Sequence, residues 1–199
     1  MKFKTKEIII SGLILLLILR RKTKKVDINK FNTELINFIH KMEGGLSNDL
    51  TDTASKYPSP TPQKWHTNKG ITWKVFIDNA KELNYAPTVS NFLTMPQSIW
   101  YSIYKNKYLN KANLTDNPVL NAYISLWYWG GWNKKLLPTI EVSNVLSGIL
   151  PNKQKLKLLT ELRIKYFNNI VKANPSQAKF LKGWTNRANE FYKQFEKYL

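Results

Sequence analysis

The chain has no cysteine. That excludes a disulfide framework, a thiol nucleophile and a cysteine-based zinc site, but leaves the compartment open, because many exported proteins lack cysteine. Histidine is nearly absent too: His40 and His66 are too few for a histidine-rich metal site, so no metal or cofactor is expected. Acids are outnumbered, 13 Asp and Glu against 31 Lys and Arg, for a net charge of +18. Neither internal repeats nor low-complexity tracts occur, which argues against a solenoid. What is present suffices for a packed core, since 43% of the residues are hydrophobic and 13% aromatic. A charge this positive calls for an anionic partner: nucleic acid, a membrane surface or a polyanionic polymer. No Lys/Arg run within the body of the chain looks like a nucleic-acid motif, so nucleic acid is not expected.

One long apolar run exists, Ile8 to Leu19, interrupted only by Ser11 and Gly12. Basic residues flank it: Lys2, Lys4 and Lys6 before, Arg20, Arg21, Lys22, Lys24 and Lys25 after. A bilayer span wants about 20 apolar residues and a signal-peptide core about 7–15. No small-x-small cleavage site follows, so residues 1–26 read as an uncleaved signal anchor lengthened by snorkelling Lys and Arg. The expectation is a membrane-anchored chain, with residues 27–199 forming the folded body.

The body is organised around Phe38 to Gly45. Phe31, Leu35, Phe38, Ile39 and Met42 recur at i, i+4, i+7, i+8 and i+11, which is a one-faced helix. Asp27 or Asn32 can cap its start. Gly44-Gly45 supplies the left-handed conformation that ends it. Glu43 is thereby left at the negative end of the helix dipole, where an ionised carboxylate is disfavoured by a few tenths to about 1 kcal/mol. Partial burial there would add to the preference for the protonated acid, which glycosidic cleavage requires. An ordinary surface glutamate before a helix-ending glycine fits these residues as well.

Glu43-Gly44-Gly45, then Asn48-Asp49 and Asp52, and later Thr67-Asn68-Lys69-Gly70-Ile71-Thr72, resemble the signature of glycoside hydrolase family 108, the N-acetylmuramidases used as phage and bacterial lysozymes. The resemblance implies a lysozyme-like fold and makes Glu43 the catalytic acid. Asp52 and Thr67 match the positions that handle water, with Ser55 to His66 lengthening the family pattern between them. Within that insertion His66 is expected to be a solvated loop residue. Phe180-Leu181-Lys182-Gly183-Trp184-Thr185-Asn186-Arg187 resembles the F-x-x-G-W-x-N-R element of the family's C-terminal "predicted peptidoglycan-binding" region. Trp184 and Arg187 there are expected to pin the last helix to the body.

The remaining chain reads as helices. Thr72 caps one through Val75, Phe76 and Ala80. Met95-Pro96 starts another whose stripe is Ile99, Trp100, Ile103, Tyr104 and Tyr108. Val119 to Trp129 is apolar nearly all round and reads as the central buried helix. It ends in Trp127-Tyr128-Trp129-Gly130-Gly131-Trp132, where the family's aspartate and V-N-x-G are missing. Ser143 to Leu150 and Lys153 to Asn174 follow, then the closing helix. Aromatic faces suit the C–H faces of pyranose rings, so Trp127, Trp129, Trp132 and Tyr104 are candidates for binding substrate.

The expected architecture is mainly α: a lysozyme-like helical domain with a small loop or β region beside the cleft, residues 27–115 forming the catalytic part and 116–199 a C-terminal helical part. The resemblance implies hydrolysis of the β-1,4 bond of peptidoglycan glycan strands by a monomer, for phage lysis or wall remodelling. A non-catalytic, membrane-anchored wall-binding protein on a decayed muramidase scaffold is the alternative.

Overall fold

The computed structural model describes residues 26–48, 65–130 and 139–199. Helix α1, Ile28–Glu43, starts where the Asp27 side chain accepts from the Lys30 amide at 3.1 Å. Its buried residues are Phe31, Leu35, Phe38 and Ile39, four of the five positions in the apolar stripe. Three two-residue strands follow: β1 (Leu46–Ser47), β2 (Thr67–Asn68) and β3 (Ile71–Thr72). They form an antiparallel sheet in the order β1-β2-β3, with Ser47 opposite Thr67 and Thr67 opposite Thr72. The Thr72 hydroxyl then caps α2, Trp73–Ala80, by accepting from Val75 N.

A short α3 (Val89–Leu93) leads to α4, Gln97–Tyr104. The latter runs on into a π-helical turn, Lys105–Leu109. Helix α5, Pro118–Trp129, is the central one: Asn117 accepts from the amides of Val119 and Leu120, and every side chain from Val119 to Trp127 is buried. Around it lie α6 (Ile140–Ser147), the long α7 (Asn152–Ala173) and α8 (Ala178–Phe195). The expected class, mainly α with a small β region, holds.

Helices α1 and α8 pack antiparallel through aromatic edges. Phe31 meets Phe195 at 5.6 Å, and Phe38 meets Phe191 at 5.5 Å and Phe195 at 5.6 Å between ring centroids. Each such pair adds about 0.5–1.5 kcal/mol beyond the area it buries. Because α8 runs against α1, the residue one turn before Phe191, Arg187, reaches the end of α1.

The membrane-anchored localisation needs correction. Among the described residues no helix is long and apolar enough to cross a membrane. The apolar α5 has 12 residues, which at 1.5 Å each falls well short of the roughly 30 Å of hydrocarbon. The 22-residue α7 is long enough but carries Lys153, Lys155, Lys157, Glu161, Arg163, Lys165 and Lys172. Residues 8–19, on which the anchor was placed, lie outside the described residues.

Candidate active site

Glu43 is the last residue of α1, and Gly44 turns the chain away with φ 68°. Its side chain is 18% exposed. Arg187 Nη1 donates to Glu43 Oε1 at 2.7 Å, and Nη2 donates to the Met42 carbonyl at 3.2 Å. One guanidinium thus satisfies an orphan carbonyl of the helix terminus and pairs with the carboxylate there. It also places a positive charge where the helix dipole is negative, which offsets the cost of an acid at that end.

The second carboxylate oxygen faces the β2–β3 hairpin. Lys69 (φ 48°) and Gly70 (φ 77°) sit at its tip, both with the positive φ that a tight type I′ turn demands. Lys69 N donates to Gly45 O at 2.9 Å, and Lys69 O accepts from Trp100 Nε1 at 3.0 Å. Behind the strand, Asn68 Nδ2 donates to Phe92 O at 2.7 Å, fixing the hairpin to α3. A Cβ added to Gly70 would come within 2.9 Å of Glu43 Oε2 and would overlap Trp129 Cζ2. Gly70 is therefore the floor on which the acid and the Trp129 ring converge.

The Trp129 ring packs over Gly70. It lies 4.8 Å from Tyr108, 5.4 Å from Tyr104 and 5.6 Å from Trp100. Tyr108 feels the acid directly: burial first, and then the negative charge of Glu43, push its pKa up to about 12, so its hydroxyl keeps its proton. His40, one turn before Glu43, sets its ring edge-on to Trp100 at 4.4 Å. Burial first, then the charge of Lys69, lowers its pKa. The result is one carboxyl group with an arginine on one oxygen and an aromatic, proton-bearing wall by the other.

Residues 36–130 match the family model described as glycosyl hydrolase 108. That segment of the chain belongs to the glycosyl hydrolase 108 family. The match supports a glycoside hydrolase. Neither the curated proteins nor the solved structures contain a match to it. The glycosyl hydrolase 108 segment holds Glu43, the hairpin, Tyr108 and Trp129, and ends at Gly130. Arg187 lies outside it.

Several other residues named from sequence fall in different places. Thr67 is buried on β2, on the sheet that leaves directly from Gly45, with Ser47 and Thr72 as its cross-strand partners. Tyr104 is fully buried, its hydroxyl hydrogen-bonded to Ser125, and burial raises its pKa. It backs the Trp129 ring from the core. Trp127 is also core, 2% exposed, on the opposite side of α5 near Arg163. Asp52 and Trp132 lie outside the described residues. His66 is buried, not solvated: its amide donates to Ser47 O and its carbonyl accepts from Trp73 N, so it is strapped between β1 and α2. Among the described residues no group of three or more His, Asp or Glu is placed to hold a metal ion.

Arg187 on Glu43 is the feature that sequence reasoning missed. It was expected to pin the last helix to the body, and it does so at the candidate acid itself. The partners are 144 positions apart, and no local pattern signals the pairing.

Proposed function

We propose that the chain is an N-acetylmuramidase-type peptidoglycan hydrolase in which Glu43 protonates the glycosidic oxygen. One observation carries this reading. In a glycosyl hydrolase 108 segment, the Glu43 carboxyl is fixed by Arg187 at Oε1 while Oε2 lies at Gly70, beside the Trp129 ring. The Arg187 bond locks the carboxyl plane. A pyranose laid on Trp129 brings its ring oxygen and leaving group towards Oε2, and the proton-bearing Tyr108 supplies a donor beside it. Asp52, nine residues beyond, would orient or activate water or stabilise the oxocarbenium-like transition state, with Thr67 positioning that water. The catalytic part, 27–115, supplies the acid. The C-terminal part, 116–199, supplies Trp129 and Arg187, so the two work as one domain. A net charge of +18 suits the anionic polymers of a bacterial wall.

The test is digestion of purified peptidoglycan followed by mass spectrometry. Wild type should release fragments ending in reducing muramic acid, and Glu43→Gln should release none. Reducing N-acetylglucosamine ends, or equal release by both proteins, would refute the assignment. The Glu43–Arg187 bond also favours a second reading, because an ion pair can serve only to clamp α8 onto α1. A non-catalytic wall-binding scaffold predicts wall retention without release of fragments by either protein.

A further inference from the structure

Beside the acid, the tip of the β2–β3 hairpin carries a lysine where its turn favours another residue. Lys69 has a left-handed φ of 48°, a conformation that among non-glycine residues suits Asn and Asp best. Among the described residues, the other non-glycine position with such a φ holds Asn84, at 52°. Lys69 therefore carries a backbone cost that asparagine would lessen, and strain of this kind points to a use for the side chain. We propose that Lys69 is a specificity-determining residue whose ammonium pairs with a carboxylate of the muramic acid unit, the unit whose glycosidic bond lies at Glu43. The proposal rests on the muramidase reading for the identity of the polymer.

The lysine is held in place by its own backbone. Lys69 N donates to Gly45 O at 2.9 Å and Lys69 O accepts from Trp100 Nε1 at 3.0 Å, so the residue is clamped between the exit of α1 and α4. Its neighbour Gly70 is where Glu43 Oε2 and the Trp129 ring converge. The charge is left over. Lys69 is partly buried, yet among the described residues its ammonium has no carboxylate partner. Cations drawn out of water are ordinarily paired. Glu43 does not fill that place, because its Oε1 is already taken by Arg187. The charge also acts towards α1: after burial, it is what lowers the pKa of His40, one turn before Glu43. A free cation thus stands next to the carboxyl that meets the glycan. Peptidoglycan strands alternate a neutral sugar with an acidic one. N-acetylglucosamine has no ionisable group. Muramic acid bears a lactyl carboxyl, free where the peptide stem is missing and elsewhere joined to a stem with carboxylates of its own. One fixed ammonium at the acid therefore tells the two sugars apart, and a charge-assisted contact is the stronger class of hydrogen bond.

Binding is measured by tryptophan fluorescence on full-length chain carrying Glu43→Gln, so that turnover plays no part. Two further variants are made on it: Lys69→Asn, which suits the turn but removes the charge, and Lys69→Arg, which keeps the charge. The probes are uncrosslinked glycan strands with their stems, the same strands stripped by an amidase, and neutral N-acetylglucosamine oligomers. Lys69→Asn should lose about tenfold in affinity for a carboxylate-bearing probe, a factor of ten in the dissociation constant, and Lys69→Arg should keep most of it. A loss on stripped strands assigns the lactyl carboxylate, and one confined to strands with stems assigns a stem carboxylate. Neutral oligomers should bind all three proteins alike, and Lys69→Asn should melt no lower than its parent. Undiminished binding to both strand probes, an equal loss on neutral oligomers, or a Lys69→Asn protein that melts lower would overturn the proposal. If wild type cuts no glycan yet the binding differences persist, the muramidase reading fails and the lysine assignment stands. If wild type cuts glycan and Lys69→Asn binds every probe like its parent, only the lysine assignment fails.

Discussion

Replacing Gly70 by alanine tests the convergence of Glu43 and Trp129. Two costs combine. The backbone φ of 77° is left-handed, and a side chain there costs about 1–2 kcal/mol. The new methyl also overlaps Trp129 Cζ2 and comes within 2.9 Å of Glu43 Oε2. Overpacking a filled site typically costs about 1–3 kcal/mol. Gly44 supplies the control: its φ is 68°, yet nothing lies within 4 Å of an added Cβ. Gly44→Ala therefore carries backbone strain alone, and a larger one, because at ψ −151° Gly44 occupies a region essentially reserved for glycine. The contact should cost Gly70→Ala about 1–3 kcal/mol in urea unfolding beyond its left-handed strain, or roughly 2–12 °C in melting temperature at about 2–4 °C per kcal/mol. Hydrolysis of peptidoglycan by Gly70→Ala should fall by an order of magnitude or more, since the ring must swing off the acid. A Gly70→Ala protein that loses no more than its backbone strain of about 1–2 kcal/mol, and is as active as wild type, would show that the ring and acid do not meet over this residue.

Two other perturbations probe the surroundings. Arg187→Ala removes a part-buried ion pair and a helix-end hydrogen bond, for an expected loss of about 1–3 kcal/mol; Arg187→Lys should recover only part, because an ammonium cannot bridge both acceptors as the guanidinium does. Combined with Glu43→Gln in a double-mutant cycle, the two losses should be strongly non-additive, and additivity would mean the pair is not coupled in solution. His40 gives a pH dependence. Its folded pKa is depressed by burial and by Lys69, so the unfolded chain takes up the proton first. Stability should therefore fall as pH drops through about 6.5, the unfolded value. His40→Phe keeps a ring against Trp100 and should flatten melting temperature against pH in that window; an unchanged slope would place the titration elsewhere.

The local features of this fold are readable in its residues. The α1 stripe, the Asp27 and Thr72 caps, the stop at Gly44 and the buried run of α5 all follow from periodicity and end chemistry. Helix α6 lies earlier than its expected span, Ser143 to Leu150, because Thr139 caps it by accepting from Val142 N and Gly148 stops it. Choosing among Trp127, Trp129 and Tyr104 was beyond the sequence: α5 is apolar nearly all round, so its periodicity does not say which ring meets Gly70 and the acid. The π-helical turn after Tyr104 adds to this, since a wide turn rotates later side chains away from the register of earlier ones. It leaves Tyr108 against Trp129 while Tyr104 stays in the core. His66 was misjudged because its burial comes from backbone bonds to β1 and α2, which leave no trace in its polar neighbours.

The pairing of Glu43 with Arg187 has a structural consequence beyond the site. The glycosyl hydrolase 108 segment ends at Gly130, but the phenylalanines of α1 meet rings that lie beyond it. Phe38 is covered by Phe191 and Phe195, and Phe31, which precedes the matched segment, by Phe195 and Tyr198. Burying one such ring is worth about 1.5–3 kcal/mol, so α8 contributes a substantial share of what holds α1 in place. The same helix then delivers Arg187 to the last turn of α1, where it occupies the Met42 carbonyl and one oxygen of Glu43. Packing and site geometry are thus set by a single helix–helix contact. A change that slides α8 along α1 by one turn, about 5.4 Å, would disengage the arginine and uncover the aromatic pairs together. The acid's orientation is therefore as cooperative as the core itself, and it depends on residues that the family segment does not contain.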